Sequence, residues 1–369
     1  MRIGLVTADF VPNVGGLAAH VAGLGEALAE MGQTVDVITL PLGDMRERET
    51  HWHGMTVHRP AIPRAKPLYS CLLGRWLKRF LQRQPLDIVH VHGLRPLEAT
   101  QGLKVPVVFT NHTSGFLRRI GKGESERKRL ASRLAHIRHV LAPSTELCTA
   151  TRSVGYDGPV DFIPNGVDIA RFTPGPSPLR AQWSIQDDEV VVLLARRLVE
   201  KNGVTVFAEA AGFLERLPLR LVFAGDGPER AKVENILRHS GMFDRAVFLN
   251  TVPNAEMPDV YRAADIAVLP SFIEATTITG LESMACGVPL VGTAVGGIPA
   301  LLDHGVTGLL VPPGAPEAIG AAIRALAEDA ERRRAMGQKA RERVVERFSW
   351  GRIAAATAAI YRRYVGTSP

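Results

Sequence analysis

Short apolar runs alternate along this chain with longer amphipathic stretches, the pattern of parallel strands joined by crossover helices. In the first half the pattern predicts strands at residues 3–7, 35–40, 87–92, 105–110, 140–142 and 160–163. A second series at 190–194, 219–224, 246–249, 266–269, 290–292 and 309–311 begins after the breaker-rich connector Thr173-Pro174-Gly175-Pro176-Ser177-Pro178. Two such series predict an α/β architecture of two Rossmann-like, doubly wound domains facing each other across a cleft. The expected division is 1–168 and 169–349. A last helix near 350–365 lies beyond the second sheet, and residues 350–369 are expected to pack back on the first domain.

Length and composition agree with two soluble enzyme domains. At 369 residues the chain exceeds the size at which a single core stops growing, and 46% apolar residues with 35 glycines fit many tight strand-to-helix turns. Cys71, Cys148 and Cys286 are odd in number and far apart, with no metal spacing, so reduced, mostly buried thiols in a cytoplasmic setting are expected. The N-terminal run Arg2-Ile3-Gly4-Leu5-Val6-Thr7-Ala8 reads as a buried strand rather than a signal segment, and no apolar stretch is long enough to span a bilayer.

Charge adds a question of partners. The formal net charge is +7, which suits nucleic acid, anionic lipid or phosphorylated ligands. Residues 72–83 place Leu72, Trp76 and Phe80, with Leu73, Leu77 and Leu81, on one helical stripe beside Arg75, Arg79 and Arg83. Such a helix either lies against an anionic membrane or packs its stripe on the core with solvated arginines. A second basic block at 118–138 holds eight Lys and Arg against Glu124 and Glu126. Aromatic interleaving and zinc-finger spacing are missing, so no nucleic-acid partner is expected.

Candidate chemistry gathers at predicted strand ends. Glu274 and Glu282 stand eight residues apart, the first where the 266–269 strand runs out and the second in a short helix of small residues closed by Gly287. Beyond the carboxyl ends of strands in an open α/β sheet lies the crevice that binds ligands. The N-terminus of the following helix suits a diphosphate there, and the carboxylates suit sugar or ribose hydroxyls. Arg196, Arg197 and Lys201 follow the 190–194 strand, where fixed positive charge can neutralise a diphosphate leaving group. Which arginine faces inward is not readable from spacing. In the first domain Gly15 and Gly16 open a helix after the first strand and let backbone approach a phosphate or sugar, or simply make a tight turn. His90 and His92 are expected to point to opposite faces of their strand, one into the core and the other to the cleft. His112 follows another strand end and is read as a cleft residue that hydrogen-bonds a sugar hydroxyl. No GxSxG nucleophile accompanies it, which argues against a hydrolase triad.

Taken in order, these strings resemble the retaining GT-B glycosyltransferases of family 4. The resemblance rests on Gly15-Gly16, Ile163-Pro164-Asn165-Gly166-Val167-Asp168, the 196–201 loop, Ala224-Gly225-Asp226-Gly227-Pro228-Glu229, Tyr261-Arg262-Ala263-Ala264-Asp265, the E-x7-E pair and Val295-Gly296-Gly297-Ile298-Pro299. It implies a nucleotide-diphosphate sugar held mainly by the C-terminal domain, an acceptor held mainly by the N-terminal one, and transfer with retention, usually without a metal or other cofactor. Carried over, Glu274 contacts the donor sugar, Glu282 the ribose, Arg196 and Lys201 the diphosphate, Gly16 the phosphate or sugar, and His112 the sugar near its reacting face. Where the family has Gly-Phe-Gly after the first Glu, this chain has Ala275-Thr276-Thr277, so with Ile278 these residues form an altered donor-binding segment.

The implied activity is hexosyl transfer from a UDP- or GDP-sugar to an acceptor hydroxyl, on a lipid or lipid-linked acceptor at the cytosolic membrane face, with the 72–83 helix as peripheral contact. A soluble acceptor is the alternative, and a nucleotide-sugar epimerase of the same fold is a third reading.

Overall fold

The computed structural model describes the chain except residues 14, 42–47, 64, 66, 67, 113, 275, 276 and 367–369. It divides into two compact units, the first formed by Met1–Gly166 with Trp350–Pro369 and the second by Val167–Ser349.

The first unit contains strands β1 (Arg2–Thr7), β2 (Thr34–Ile38), β3 (Arg48–Trp52), β4 (Met55–Arg59), β5 (Ile88–His92), β6 (Val107–Thr110), β7 (His139–Ala142) and β8 (Val160–Phe162). They form one sheet in the order β3-β4-β2-β1-β5-β6-β7-β8, parallel except for the β3–β4 pair. The pattern reading had missed that hairpin. β3 reads Arg48-Glu49-Thr50-His51-Trp52 and is exposed over its first four residues, so it lacks the apolar alternation of a core strand. It caps the sheet edge with charge, a common protection against edge pairing.

The second unit contains β9 (Val190–Ala195), β10 (Leu219–Ala224), β11 (Ala246–Asn250), β12 (Ile266–Leu269), β13 (Leu290–Thr293) and β14 (Gly308–Val311), in the order β11-β10-β9-β12-β13-β14 and parallel throughout. Strand β9 shows why its sequence is an unbroken apolar run. Val190, Val192 and Leu194 pack into the core on one face, while Val191, Leu193 and Ala195 pack into a second core on the other. With both faces covered by helices, both parities must be apolar. The comparable first-unit core joins Leu5, Val37 and Ile88 from the sheet to Val21, Leu24 and Leu28 of the helix Gly16–Glu30.

Winding fixes where ligands can enter. In the second unit the chain moves outward from β9 through β10 to β11, then returns to β12 on the other side of β9. The connections after β9 and β12 therefore leave the sheet in opposite directions and open a crevice at their carboxyl ends. β1 and β5 stand in the same relation in the first unit, with β2 on the other side of β1.

The C-terminal helix Trp350–Arg362 belongs to the first unit and packs on the helix Gly16–Glu30. Gly23 and Gly166 make room for the Trp350 ring, since a Cβ at Gly23 would lie 2.2 Å from it and one at Gly166 2.4 Å. The basic helix Leu68–Arg83 buries Tyr69, Leu73, Leu77 and Phe80 and exposes Arg75, Lys78, Arg79 and Arg83. Half of its apolar stripe, Leu73, Leu77 and Phe80, is thus buried within its own unit, and Leu72, Trp76 and Leu81 are half-buried. No helix among the described residues is long and apolar enough to cross a membrane.

Candidate active site

Each unit presents a candidate site at its own switch point. In the second unit β9 ends at Ala195, and the next residue, Arg196, turns inward with a side chain 12% exposed, while Arg197 is exposed. The structure thereby distinguishes two arginines that spacing could not. The Arg196 guanidinium donates to Ser271 Oγ at 2.8 Å and to Asn202 Oδ1 at 3.3 Å, and it is ion-paired with Glu274. Asn202 in turn donates to the Arg197 carbonyl at 2.7 Å. A planar fork gripped on three sides is held in one orientation, which a flexible ammonium could not match. Lys201, on the single turn Glu200–Asn202, is exposed, and its carbonyl accepts from Phe272 N at 2.9 Å, joining the loop after β9 to the loop after β12.

Two glycines permit this closeness. Gly296 sits at φ +53° with Gly297 N donating to the Glu274 carbonyl at 3.3 Å, and a Cβ on Gly296 would fall 1.5 Å from that carbonyl oxygen. Gly225, at φ +147°, would place a Cβ 2.1 Å from the Arg196 carbonyl oxygen. The two glycine motifs thus fix the backbone of the paired residues, because no L side chain fits at either approach.

Glu282 lies in the helix Ile278–Ala285, is 6% exposed and accepts from the Tyr261 hydroxyl at 2.8 Å. Burial pushes its carboxyl up to about 7, against the smaller opposing effects of the Tyr261 hydrogen bond and the Arg171 charge. Thr277 is the N-cap of that helix, with its hydroxyl accepting from Gly280 N at 3.0 Å, so this oxygen holds the helix start. Ile278 is half-buried at the first helical position. Ala275 and Thr276 lie outside the described residues.

The first unit brings together three histidines: His20 from the helix Gly16–Glu30 that follows β1, His92 at the end of β5 and His112 just beyond β6. His92 Nδ1 lies 3.0 Å from His112 Nε2, and the His20 and His112 rings are 4.3 Å apart, edge to face. The expectation that His90 and His92 part to opposite faces is wrong. Residues two apart on a strand share a face, and the two rings lie 4.0 Å apart, both fully buried. His90 serves the core, bonded to the Tyr361 hydroxyl and Thr110 Oγ1, each at 2.6 Å.

Burial drives the imidazoles of His92 and His112 well below the ordinary histidine range, with neighbouring imidazoles adding to it, and takes His20 to about 4. All three are neutral at neutral pH. His20 donates from Nδ1 to Asn165 Oδ1 at 2.8 Å, which leaves its Nε2 as an acceptor with no partner among the described residues. One ring nitrogen from each of His20, His92 and His112 can be chosen so that all lie within 4.8 Å of one another, a donor set that suits sugar hydroxyls and has the chemistry of a borderline divalent cation site. His20 escaped the sequence reading, although its place one helical turn beyond Gly16 put both on one side of the helix. Gly15 is the N-cap of that helix in extended backbone, and both Gly15 and Gly16 are exposed, with nothing within 4 Å of a Cβ at Gly16.

His92 also lines a cleft of about 650 Å³ that continues past Gly93 and Leu17 to Arg95, Arg118, Arg119 and Lys122. Arg95 was not anticipated either. Its signal was a cation three residues beyond the end of β5.

Comparison with known proteins places these features in a family. Residues 14–171 match the model of Glycosyltransferase Family 4, and residues 177–343 match that of Glycosyl transferases group 1. The D-inositol 3-phosphate glycosyltransferase of Geodermatophilus obscurus is 30% identical over 95% of this chain and 85% of its own. The N-acetyl-alpha-D-glucosaminyl L-malate synthase of Bacillus anthracis is 28% identical over 98% of this chain and 96% of its own. Among solved structures, sucrose-phosphate synthase of Thermosynechococcus elongatus superposes with a TM-score of 0.84 at 25% identity, over 98% of both chains.

Proposed function

The chain belongs to glycosyltransferase family 4, and from that premise we propose that it moves a hexosyl group from a UDP- or GDP-sugar to an acceptor hydroxyl with retention of configuration. The observation that carries this reading is the Arg196–Glu274 pair at the β9/β12 switch point, one helix away from the buried Glu282. Arg196 and Lys201 neutralise the diphosphate, Glu274 accepts from sugar hydroxyls, and Glu282 accepts from the ribose. The C1–O bond to phosphate breaks as the acceptor oxygen bonds C1 on the same face, and the departing phosphate oxygen takes the acceptor proton. Charge on the leaving group is met by the held Arg196 guanidinium, whose orientation costs nothing at the moment of reaction, with the exposed Lys201 adding positive charge beside it. His112, held neutral, hydrogen-bonds the sugar near its reacting face.

The acceptor belongs to the first unit's cleft. A soluble acceptor is favoured over a lipid because the helix Leu68–Arg83 buries Leu73, Leu77 and Phe80 within its unit and leaves Leu72, Trp76 and Leu81 only half-exposed. The names of the inositol phosphate and malate relatives support the same choice. A lipid-linked acceptor remains the second reading, carried by the exposed Arg75, Arg79 and Arg83.

The test is incubation with UDP- and GDP-sugars while nucleotide release is followed, with the product's anomeric configuration read by NMR. Release from one nucleotide class, lost in Glu274→Ala, is expected. Absence of both binding and release with every nucleotide sugar tested overturns the reading.

A further inference from the structure

We propose that the basic end of the first unit's cleft is an anion subsite, and that it recognises a phosphate monoester or carboxylate on a small acceptor. The inference rests on the transferase reading above and adds the chemical class of the second substrate.

Charge placement is the first argument. Arg95, Arg118, Arg119 and Lys122 line one cleft of about 650 Å³, and no acidic residue among the described residues lines it. The chain carries 44 basic and 37 acidic residues, so a four-to-none ratio within one cleft is a local concentration and not a sample of the average surface. Clustered cations repel unless an anion sits among them. Arg119 is partly neutralised by Glu126 at 3.1 Å, whereas Arg118 and Lys122 are exposed.

Geometry is the second. Arg95 comes from the connection after β5, and the other three come from the helix Ser114–Ile120 and the turn beyond it, so segments far apart in sequence converge on one cavity. Arg95 is braced with its guanidinium 5.0 Å over the ring of Tyr69, which is itself buried. A guanidinium fixed in this way is suited to a planar or tetrahedral oxyanion.

Size and polarity set the rest of the class. The cleft has the volume of a pocket for one small molecule. Its buried end is the neutral His92 beside His112, where a hydroxyl can be hydrogen-bonded, and its exposed end is cationic. A polyol phosphate or a hydroxy acid has the matching pair of groups: a hydroxyl to be glycosylated and an anion to hold.

The experiment titrates the full chain with inorganic phosphate and with succinate at constant ionic strength, by calorimetry. Saturable binding is expected for at least one of them. It should weaken about tenfold or more in Arg118→Glu/Lys122→Glu, since each lost charge-assisted contact is worth about that factor. It should be unchanged in Arg75→Glu/Arg79→Glu, which alters net charge equally on the helix Leu68–Arg83. Equal weakening in both double variants, or no saturable binding of either anion, overturns the proposal. Sedimentation with phosphatidylglycerol vesicles identifies the source of the anion. A soluble ligand leaves the protein in the supernatant, whereas pelleting that depends on Arg118 and Lys122 assigns the same subsite to a lipid headgroup. UDP and GDP titrations run alongside separate the two claims: nucleotide binding without anion binding sinks the subsite alone, and anion binding without nucleotide binding sinks the transferase reading alone.

Discussion

Replacing Glu282 by Gln should make the stability of the second unit respond to pH in a way that isolates one carboxyl group. Burial raises this group from an ordinary 4.5 to about 7. Between those pH values the folded chain keeps a proton that the unfolded chain has lost, so stability falls as pH rises through the window and is level above it. At 1.36 kcal/mol per pH unit, a rise of about 2.5 pH units costs about 3 kcal/mol, about three quarters of it, about 2.5 kcal/mol, incurred between pH 5 and pH 8. Glutamine has the same shape and can still accept from Tyr261, but it cannot ionise. The difference in melting midpoint between Glu282→Gln and the parent should therefore grow in the variant's favour from pH 5 to pH 8. For a unit of 150–250 residues 1 kcal/mol is about 2–4 °C, so the expected swing is about 5–10 °C. Differential scanning calorimetry on both proteins at pH 5, 6, 7 and 8 measures it. A difference independent of pH would refute the claim that Glu282 is protonated by burial.

Other outcomes follow from the same geometry. Tyr261→Phe removes the hydrogen bond that favours the ionised carboxylate, so the midpoint of the Glu282 titration should move upward, as read by the same pH series. Arg196→Lys keeps the charge but loses the three-sided grip, and turnover of the nucleotide sugar should fall about 10²- to 10³-fold with little change in melting temperature. Gly296→Ala should give a folded protein with similar loss of turnover, because the new Cβ must displace the Glu274 carbonyl; unaltered kinetics would show that the Glu274 backbone position is not needed. Tyr361→Phe leaves His90 Nδ1 without its 2.6 Å partner and should destabilise the first unit by about 1–3 kcal/mol, measured by urea unfolding.

What sequence by itself determined here is what a period and a local string can encode. The apolar run of β9 announced a strand covered on both faces, and the glycine and carboxylate strings announced the family, because each has a local physical cause: a positive φ, a close backbone approach, a carboxylate beyond a strand end. The β3 strand stayed hidden because an exposed edge has no apolar period to read. The tertiary structure decided everything that depends on distance between remote residues. It turned Arg196 inward and left Arg197 in solvent, because Ser271, Asn202 and Glu274 come together only when β9 and β12 are neighbours. It joined His20, His92 and His112 from one helix and two strand ends, and set Arg95 beside Arg118, Arg119 and Lys122 in one cleft. It also buried half of the apolar stripe of the helix Leu68–Arg83 in its own unit, a choice that periodicity leaves open because a helix face carries the same pattern whether protein or lipid covers it.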